Sequence, residues 1–347
     1  MELGLQIEAA GCPTICKHCW AQGIPYAVMP VNEMDWLLEQ AGEFCAENGM
    51  KLSAFPMHEI AAHPDAPEVL RLFRRRLGED PGFEPLATTG VPIAQREDWA
   101  EFLAAIRSTG TRTLWVAFHG MGAGHDRLIM RDGAFEETCL AVQRIRKAGL
   151  RCGANIFVTK NVAANFAALV GILEEIGIEE MGWEPPNYYP TARSRQYEAH
   201  RAELTELLPL AEQIRTLSGF HKDAWSNLEE LTEAHWRQRA LQGDWPSAWR
   251  PSDYPGLVCR PNFDLHTGKA GLYGSLHGNL KRDGVKATLE RAVTAGHVPD
   301  EVLYLSTSTF PPIEQLAQQA GDAEGQAIYF QPESLRYRWL DRMAGRA

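Results

Sequence analysis

Three cysteines, Cys12, Cys16 and Cys19, stand at C-x3-C-x2-C spacing in the stretch Gly11-Cys12-Pro13-Thr14-Ile15-Cys16-Lys17-His18-Cys19-Trp20. Thiolates this close on one loop can point at a common centre, and they are preferred ligands of iron–sulfur clusters. Ordinary clusters take four protein ligands, so a set of three implies one iron left open to something else. A zinc ion would need a fourth ligand. His18 and His58 are the nearby imidazoles, and neither stands at zinc-finger spacing. Thiols that only line a turn are the third reading of the same residues.

A loop can aim three thiols only when rigid elements carry it. The apolar run at residues 3–7 predicts a strand directly before the cysteines. Helical periodicity follows over 34–48, with Asn32 or Asp35 as cap and Gly49 at the end, then a strand over 51–55. The pattern continues with a helix at 69–77, a strand at 84–87, a helix at 97–109 and a strand at 113–118. It closes with a helix at 135–148, a strand at 151–158, a helix at 163–176 and a strand at 181–183. Strand–helix alternation of this kind argues for parallel strands covered by helices, curled into a partial (β/α)6 barrel. Chemistry then belongs at the C-terminal ends of the strands. The repetition stops near Asn187-Tyr188-Tyr189-Pro190, which sets a boundary near residue 192. An α+β extension follows over 193–347, with helices at 198–217 and 228–242, a hairpin turning at Thr267-Gly268, and a helix at 285–295.

Composition narrows the class. The chain has 347 residues, 45% apolar and 23% charged, enough to bury a core. A formal charge of −11 with no long basic run argues against nucleic acid as a partner. No apolar stretch reaches membrane-spanning length, and the N-terminus has no signal-peptide pattern, so a cytoplasmic location without membrane contact is expected. Seven cysteines, an odd number with three clustered, do not form a secreted disulfide framework.

The cysteine stretch resembles the CxxxCxφC signature of the radical S-adenosylmethionine (radical SAM) enzymes, with His18 at the usually aromatic φ position. The resemblance implies that Cys12, Cys16 and Cys19 hold a [4Fe–4S] cluster whose fourth iron is chelated by SAM. It implies one-electron cleavage of SAM to a 5′-deoxyadenosyl radical, with a flavodoxin- or ferredoxin-type protein as reducing electron donor. Other stretches agree. Pro56-Met57-His58-Glu59 resembles the family's GGEP loop, with Glu59 matching the acid that binds the SAM amine, although Met57 and His58 replace both glycines. Thr88-Thr89-Gly90 resembles the family's Thr-Asn-Gly, in which Thr88 would bind SAM. Ala117-Phe118-His119-Gly120 takes the place of Ser-Leu-Asp-Gly, without the hydroxyl at Ala117. This puts His119 among the cofactor-binding candidates. Arg131 is the candidate partner of the SAM carboxylate, and Asn155 is expected to face the same mouth.

Residues 255–285 resemble a degenerate SPASM or twitch extension in which only Cys259 remains, so no auxiliary cluster can form there. Without that electron acceptor a redox-neutral outcome is expected: epimerisation, elimination or decarboxylation. Cys259 is then the thiol that could return a hydrogen atom, and Glu184, at the end of the sixth strand, the acid/base candidate. His119, His125, Trp183, Glu184 and Tyr188 suggest a small polar substrate of natural-product type, a sugar or nucleoside. A peptide-modifying enzyme is the alternative, although with the cysteine motif beginning at residue 12 no winged-helix peptide-recognition module is expected ahead of the barrel. A non-catalytic iron–sulfur protein with a binding or regulatory role is the alternative of another class.

Overall fold

Six strands follow one another in the first half: β1 (Glu2–Glu8), β2 (Lys51–Met57), β3 (Leu86–Thr88), β4 (Thr113–Phe118), β5 (Arg151–Phe157) and β6 (Glu180–Glu184). The structure is a computed structural model and describes residues 2–19, 27–57, 59–78, 84–189, 191–245, 256–269, 272–295, 312–320, 326–330 and 332–346. Between the strands run α1 (Val31–Glu47), α2 (Ala66–Leu77), α3 (Val91–Gln95), α4 (Trp99–Ser108), α5 (Ala123–Ile129), α6 (Ala134–Lys147), α7 (Lys160–Ala164) and α8 (Phe166–Glu175). β1 pairs in parallel with β2, and β3, β4, β5 and β6 pair in parallel in that order. These are the six parallel strands of a partial barrel, in two hydrogen-bonded parts among the described residues.

Alternation along each strand separates two faces. Leu3, Leu5 and Ile7 of β1, Leu114, Val116 and Phe118 of β4, and Ala154 and Ile156 of β5 join one apolar core with the helices. The intervening residues, among them Trp115, Ala117, Asn155 and Phe157, face the barrel interior. Gly153 and Gly182 stand on this inner face, where a Cβ has no room. One on Gly153 would lie 2.6 Å from the Trp115 ring, and one on Gly182 would fall inside Phe220. The two glycines make space for Trp115 to stack on Phe220, ring centroids 5.4 Å apart.

Several boundaries differ from those expected. α1 begins at Val31 after Pro30, so Asn32 and Asp35 lie within the helix, and Asp35 instead takes Arg76 at 2.6 Å. The helix expected at 163–176 starts earlier, capped by the Thr159 hydroxyl, and is interrupted at Asn165, whose side chain bonds back to Asn161 O. After α9 (Ala192–Tyr197), the long helix expected at 198–217 is broken into α10 (Leu204–Leu207), α11 (Ala211–Leu217) and short 3-10 turns. Arg201 causes the break. It is buried, its backbone bridges to Thr159, and its guanidinium donates to Pro186 O and Ile328 O. Then come α12 (Lys222–Ser226) and α13 (Glu233–Leu241), the latter capped by Thr232.

The extension shares the first sheet. β7 (Gly256–Cys259) pairs in parallel with β1, and β8 (Asp264–Lys269) and β9 (Leu272–Asn279) continue it antiparallel. Thr267 and Gly268 lie within β8, not at a turn, and the β8–β9 connection falls outside the described residues. α14 (Leu280–Asp283), α15 (Val285–Thr294), α16 (Ile313–Gln319) and α17 (Pro332–Met343) complete the elements. α17 is tied down by buried charge. Asp341 accepts from Tyr188 Oη at 2.6 Å and Arg195 at 2.8 Å, and Glu233 takes Arg338 at 2.8 Å and Arg342 at 2.7 Å. Among the described residues no helix is long and apolar enough to cross a membrane.

Candidate functional site

A cavity of about 470 Å³ opens at the C-terminal ends of the barrel strands, and eight of the candidate residues line it: Cys12, Cys16, His18, Cys19, Glu59, Thr88, His119 and Asn155. The cysteine loop is held against the last turn of α5, where Ile15 N–H donates to Ile129 O at 3.3 Å and Lys17 N–H to Leu128 O at 2.9 Å. The Thr14 hydroxyl sits 3.2 Å from Cys12 Sγ and 3.5 Å from Cys16 Sγ, tying two thiols to one point. Cys19 N–H closes the turn onto Cys16 O at 3.1 Å. All three thiols are free of disulfides. Burial, reinforced by the Glu59 charge, pushes the Cys12 thiol up to about 12, and burial pushes Cys16 up further. A directly bound cation is what would hold such buried groups as thiolates.

Glu59 follows β2 and is almost fully buried. One carboxylate oxygen accepts Thr89 N–H at 2.5 Å, whereas the other, Oε1, is buried with no hydrogen-bond partner. Burial raises its pKa, and hydrogen bonds from Thr89 and Thr88 oppose the shift. A desolvated carboxylate with one fixed and one unpartnered oxygen is suited to an ammonium group. The Thr88 hydroxyl also accepts Gly90 N–H at 3.0 Å, which leaves its proton for Glu59. Gly90 has φ +83°, and a Cβ there would sit 3.1 Å from both Ala141 and Val116, so the turn that presents Thr88 and Thr89 needs this glycine. The three thiols and the unpartnered Glu59 oxygen therefore fit a three-cysteine cluster beside an amine-bearing ligand.

His18 and His119 pack against Phe157, with centroids 4.3 and 4.6 Å away, and His125 lies behind, its Nδ1 accepting His119 N–H at 3.1 Å. Burial holds all three imidazoles neutral near pH 7, lowering His18 to about 3 and His125 to about 4, with His119 also well below its ordinary value. The ligand atoms of Cys16, His18 and His119 lie within 4.8 Å of one another, so a single ion on these three is a second arrangement the geometry permits. It would leave Cys12, Cys19 and Glu59 unused. His58 lies outside the described residues.

Asn155 donates from Nδ2 to Glu184 Oε1 at 3.1 Å, and Glu184 Oε2 lies 4.0 Å from His221 Nε2. Glu184 thus reaches the cavity through Asn155. Arg131 does not line the cavity. Its guanidinium makes a bidentate pair with Glu137, at 2.6 and 2.8 Å. Cys259 is fully buried and pairs with Ile7 in the β1–β7 register, on the helix-covered face with Leu257. It points away from the interior, which removes it as a hydrogen donor to anything held there. Trp183 and Tyr188 are also core residues, Tyr188 engaged by Asp341. Sequence reasoning did not single out Thr14, Trp115, Phe157 or His221. The inner-face alternation of β4 and β5 carried the signal for Trp115 and Phe157, two residues from Ala117 and Asn155 respectively.

No protein-family model matches the chain. It is 27% identical over 173 residues to the AdoMet-dependent heme synthase of Methanosarcina barkeri, an alignment covering 48% of this chain and 46% of that protein. The fold is similar to that of Streptococcus suis SuiB bound to its precursor peptide SuiA, at 16% identity and TM-score 0.50, covering 91% of this chain and 66% of SuiB. It is also similar to anSMEcpe with bound AdoMet, at 12% identity and TM-score 0.50, covering 99% and 97%. The chain spans about half the length of the curated relative and about two thirds of SuiB. These relatives are radical SAM enzymes, and this chain is similar in sequence to the heme synthase over the matched part and in fold to SuiB and anSMEcpe over nearly its whole length.

Proposed function

We propose that the chain is a radical SAM enzyme that removes a hydrogen atom from an organic substrate held over the ends of β4 and β5. The observation that carries this reading is the convergence in one cavity of three free thiols and a buried carboxylate with one unpartnered oxygen. Cys12, Cys16 and Cys19 would hold a [4Fe–4S] cluster, and Glu59 would accept from the amine of SAM. When bound, these groups supply one-electron cleavage of SAM and a 5′-deoxyadenosyl radical. The chain's own work is positional. Thr89 N–H fixes one Glu59 oxygen and so aims the other. Pro85, Trp115 and Phe157 give the cavity apolar walls that keep water from the reacting carbon. Asn155, anchored on Glu184, leaves its buried Oδ1 for a donor on cofactor or substrate.

Because Cys259 faces the helices, an epimerase returning hydrogen from that thiol has no support. A redox-neutral elimination or decarboxylation, in which the hydrogen atom first removed is returned to the product radical, is the outcome we favour, with Glu184 the acid/base candidate and the orienting partner of Asn155. The sugar or nucleoside class of substrate rests on Asn155 and Glu184 alone. A peptide substrate is the second reading, favoured by the apolar walls and by the likeness to SuiB, which was solved with its precursor peptide. Metal content tests the site. Anaerobic reconstitution should give about four irons per chain with matching sulfide, and adding SAM should change the electron paramagnetic resonance spectrum of the reduced cluster. One zinc and no iron would overturn the reading in favour of an ion on Cys16, His18 and His119.

A further inference from the structure

One thiol and two imidazoles in the cavity form a donor set of their own. The ligand atoms of Cys16, His18 and His119 lie within 4.8 Å of one another. His119 is 1% exposed, and its Nδ1, like that of His18, is buried without a hydrogen-bond partner. Neither ring is committed to the protein through that atom. The backbone that carries them is fixed. His119 N–H donates to His125 Nδ1 at 3.1 Å, and its carbonyl accepts from the Thr159 hydroxyl, also at 3.1 Å. Its ring stacks on Phe157 with the two planes 7° apart. The His18 ring lies 4.4 Å from that of His119 and 4.3 Å from that of Phe157, with Tyr197 at 5.8 Å closing the far side. Cys16 stands between Ile15 and Lys17, whose N–H groups both bond to α5, and its own carbonyl takes Cys19 N–H at 3.1 Å. The loops after β1 and β4, far apart in sequence, thus bring the three side chains to a common point.

We propose that Cys16, His18 and His119 form a second metal site, for one divalent cation of the zinc class, which excludes the iron–sulfur cluster because both take Cys16. One thiolate and two imidazoles, with no carboxylate among them, suit zinc or cobalt(II) and not magnesium or calcium. In a tetrahedral zinc sphere such donors stand about 3.3–3.6 Å apart, so closing the site moves any pair by at most about 1.5 Å. The fourth position faces the cavity that all three residues line, and it is left to an exchangeable ligand such as water. Cys16 binds as the thiolate, its proton passing to solvent, and no electron moves. Cys12, Cys19 and Glu59 take no part. A chain loaded in this way cannot build the cluster until the ion leaves, which makes zinc a brake on cluster assembly. The site stands apart from the cluster reading, and only the exclusion rests on it.

The test uses the full chain, reduced and stripped of metal under anaerobic conditions, with cobalt(II) as the probe and zinc(II) as its competitor. One cobalt per chain should bind, with the d–d absorption of a tetrahedral ion and a thiolate-to-cobalt charge-transfer band, and zinc should displace it. X-ray absorption of the cobalt-loaded wild type should show one sulfur and two imidazole ligands, a result that depends on no variant folding. His119→Ala and His18→Ala should each weaken cobalt binding by at least roughly tenfold, yet each should still take up about four irons on reconstitution. Cys12→Ala and Cys19→Ala should do the reverse, binding cobalt as wild type does and failing to assemble the cluster. Zinc-loaded wild type should take up no iron until a chelator is added. Two or three sulfur ligands on the cobalt, or equal cobalt binding by wild type and both histidine variants, overturns the site. Zinc-loaded chain that assembles the cluster as fast as the metal-free chain overturns the exclusion. Iron analysis separates the two readings: cobalt bound here by a chain that never holds iron sinks the cluster and keeps this site, and four irons with no cobalt binding does the opposite.

Discussion

Glu59 sets stability against binding within one side chain. Its folded pKa is raised by burial, so the folded state holds the proton more tightly than the unfolded chain does. The associated stability is present at low pH and is lost as pH rises from the ordinary value of 4.5 through the raised one. Glu59→Gln removes the buried charge and keeps an oxygen for Thr89 N–H. The cofactor-free variant should therefore be more stable than wild type at pH 7, by about 1 kcal/mol, with a flatter pH dependence in urea titrations. Its affinity for SAM should nevertheless fall, since the charge that meets the amine is gone. A variant that binds SAM as wild type does would remove Glu59 from the site. Cys259 gives the opposite contrast. With its thiol in the core, Cys259→Ala should cost about 1–2 kcal/mol of stability and leave SAM cleavage untouched, measured as 5′-deoxyadenosine.

At the scale of elements, the inner face of the barrel is decided by two missing side chains. Gly182→Ala forces Phe220 and Trp115 apart and should destabilise by about 1–3 kcal/mol. Phe220→Ala opens the space that the new methyl needs, so the double variant should be more stable than the sum of the single losses predicts. Additive losses in chemical denaturation would mean that the stack does not depend on the glycines. The same face explains what sequence could disclose. The strands at residues 113–118 and 151–158 were legible because apolar residues alternate onto a helix-covered face, and the cysteine spacing was legible because three thiols are rarely so close. Other features needed partners distant in sequence. Arg131 reads as a free cation until α6 supplies Glu137, and nothing local tells which face of β7 carries Cys259 until β1 fixes the register. The expected helix at 198–217 failed because Arg201 answers to backbone carbonyls at Pro186 and Ile328.

At the scale of the whole molecule, the two halves share hydrogen bonds. β7 completes the sheet beside β1, the strand that leads into the cysteine loop, and α17 is held to the exit of β6 through Tyr188, Arg195 and Asp341. A fragment covering residues 1–192 should therefore aggregate or unfold, exposing the β1 edge, and circular dichroism with size-exclusion chromatography would show it. A monomeric, cooperatively folding fragment would mean that the extension is dispensable. Asp341→Ala strands Arg195 and Tyr188 and should cost about 3–5 kcal/mol, as breaking a buried ion pair does. If the cavity over the barrel directs electron transfer into SAM, the products of SAM cleavage report it. Reconstituted wild-type chain, incubated anaerobically with SAM and dithionite, should form 5′-deoxyadenosine and methionine, and Cys16→Ala should form neither. A wild-type chain that carries its iron and binds SAM, yet yields no 5′-deoxyadenosine above the Cys16→Ala background, would contradict the account.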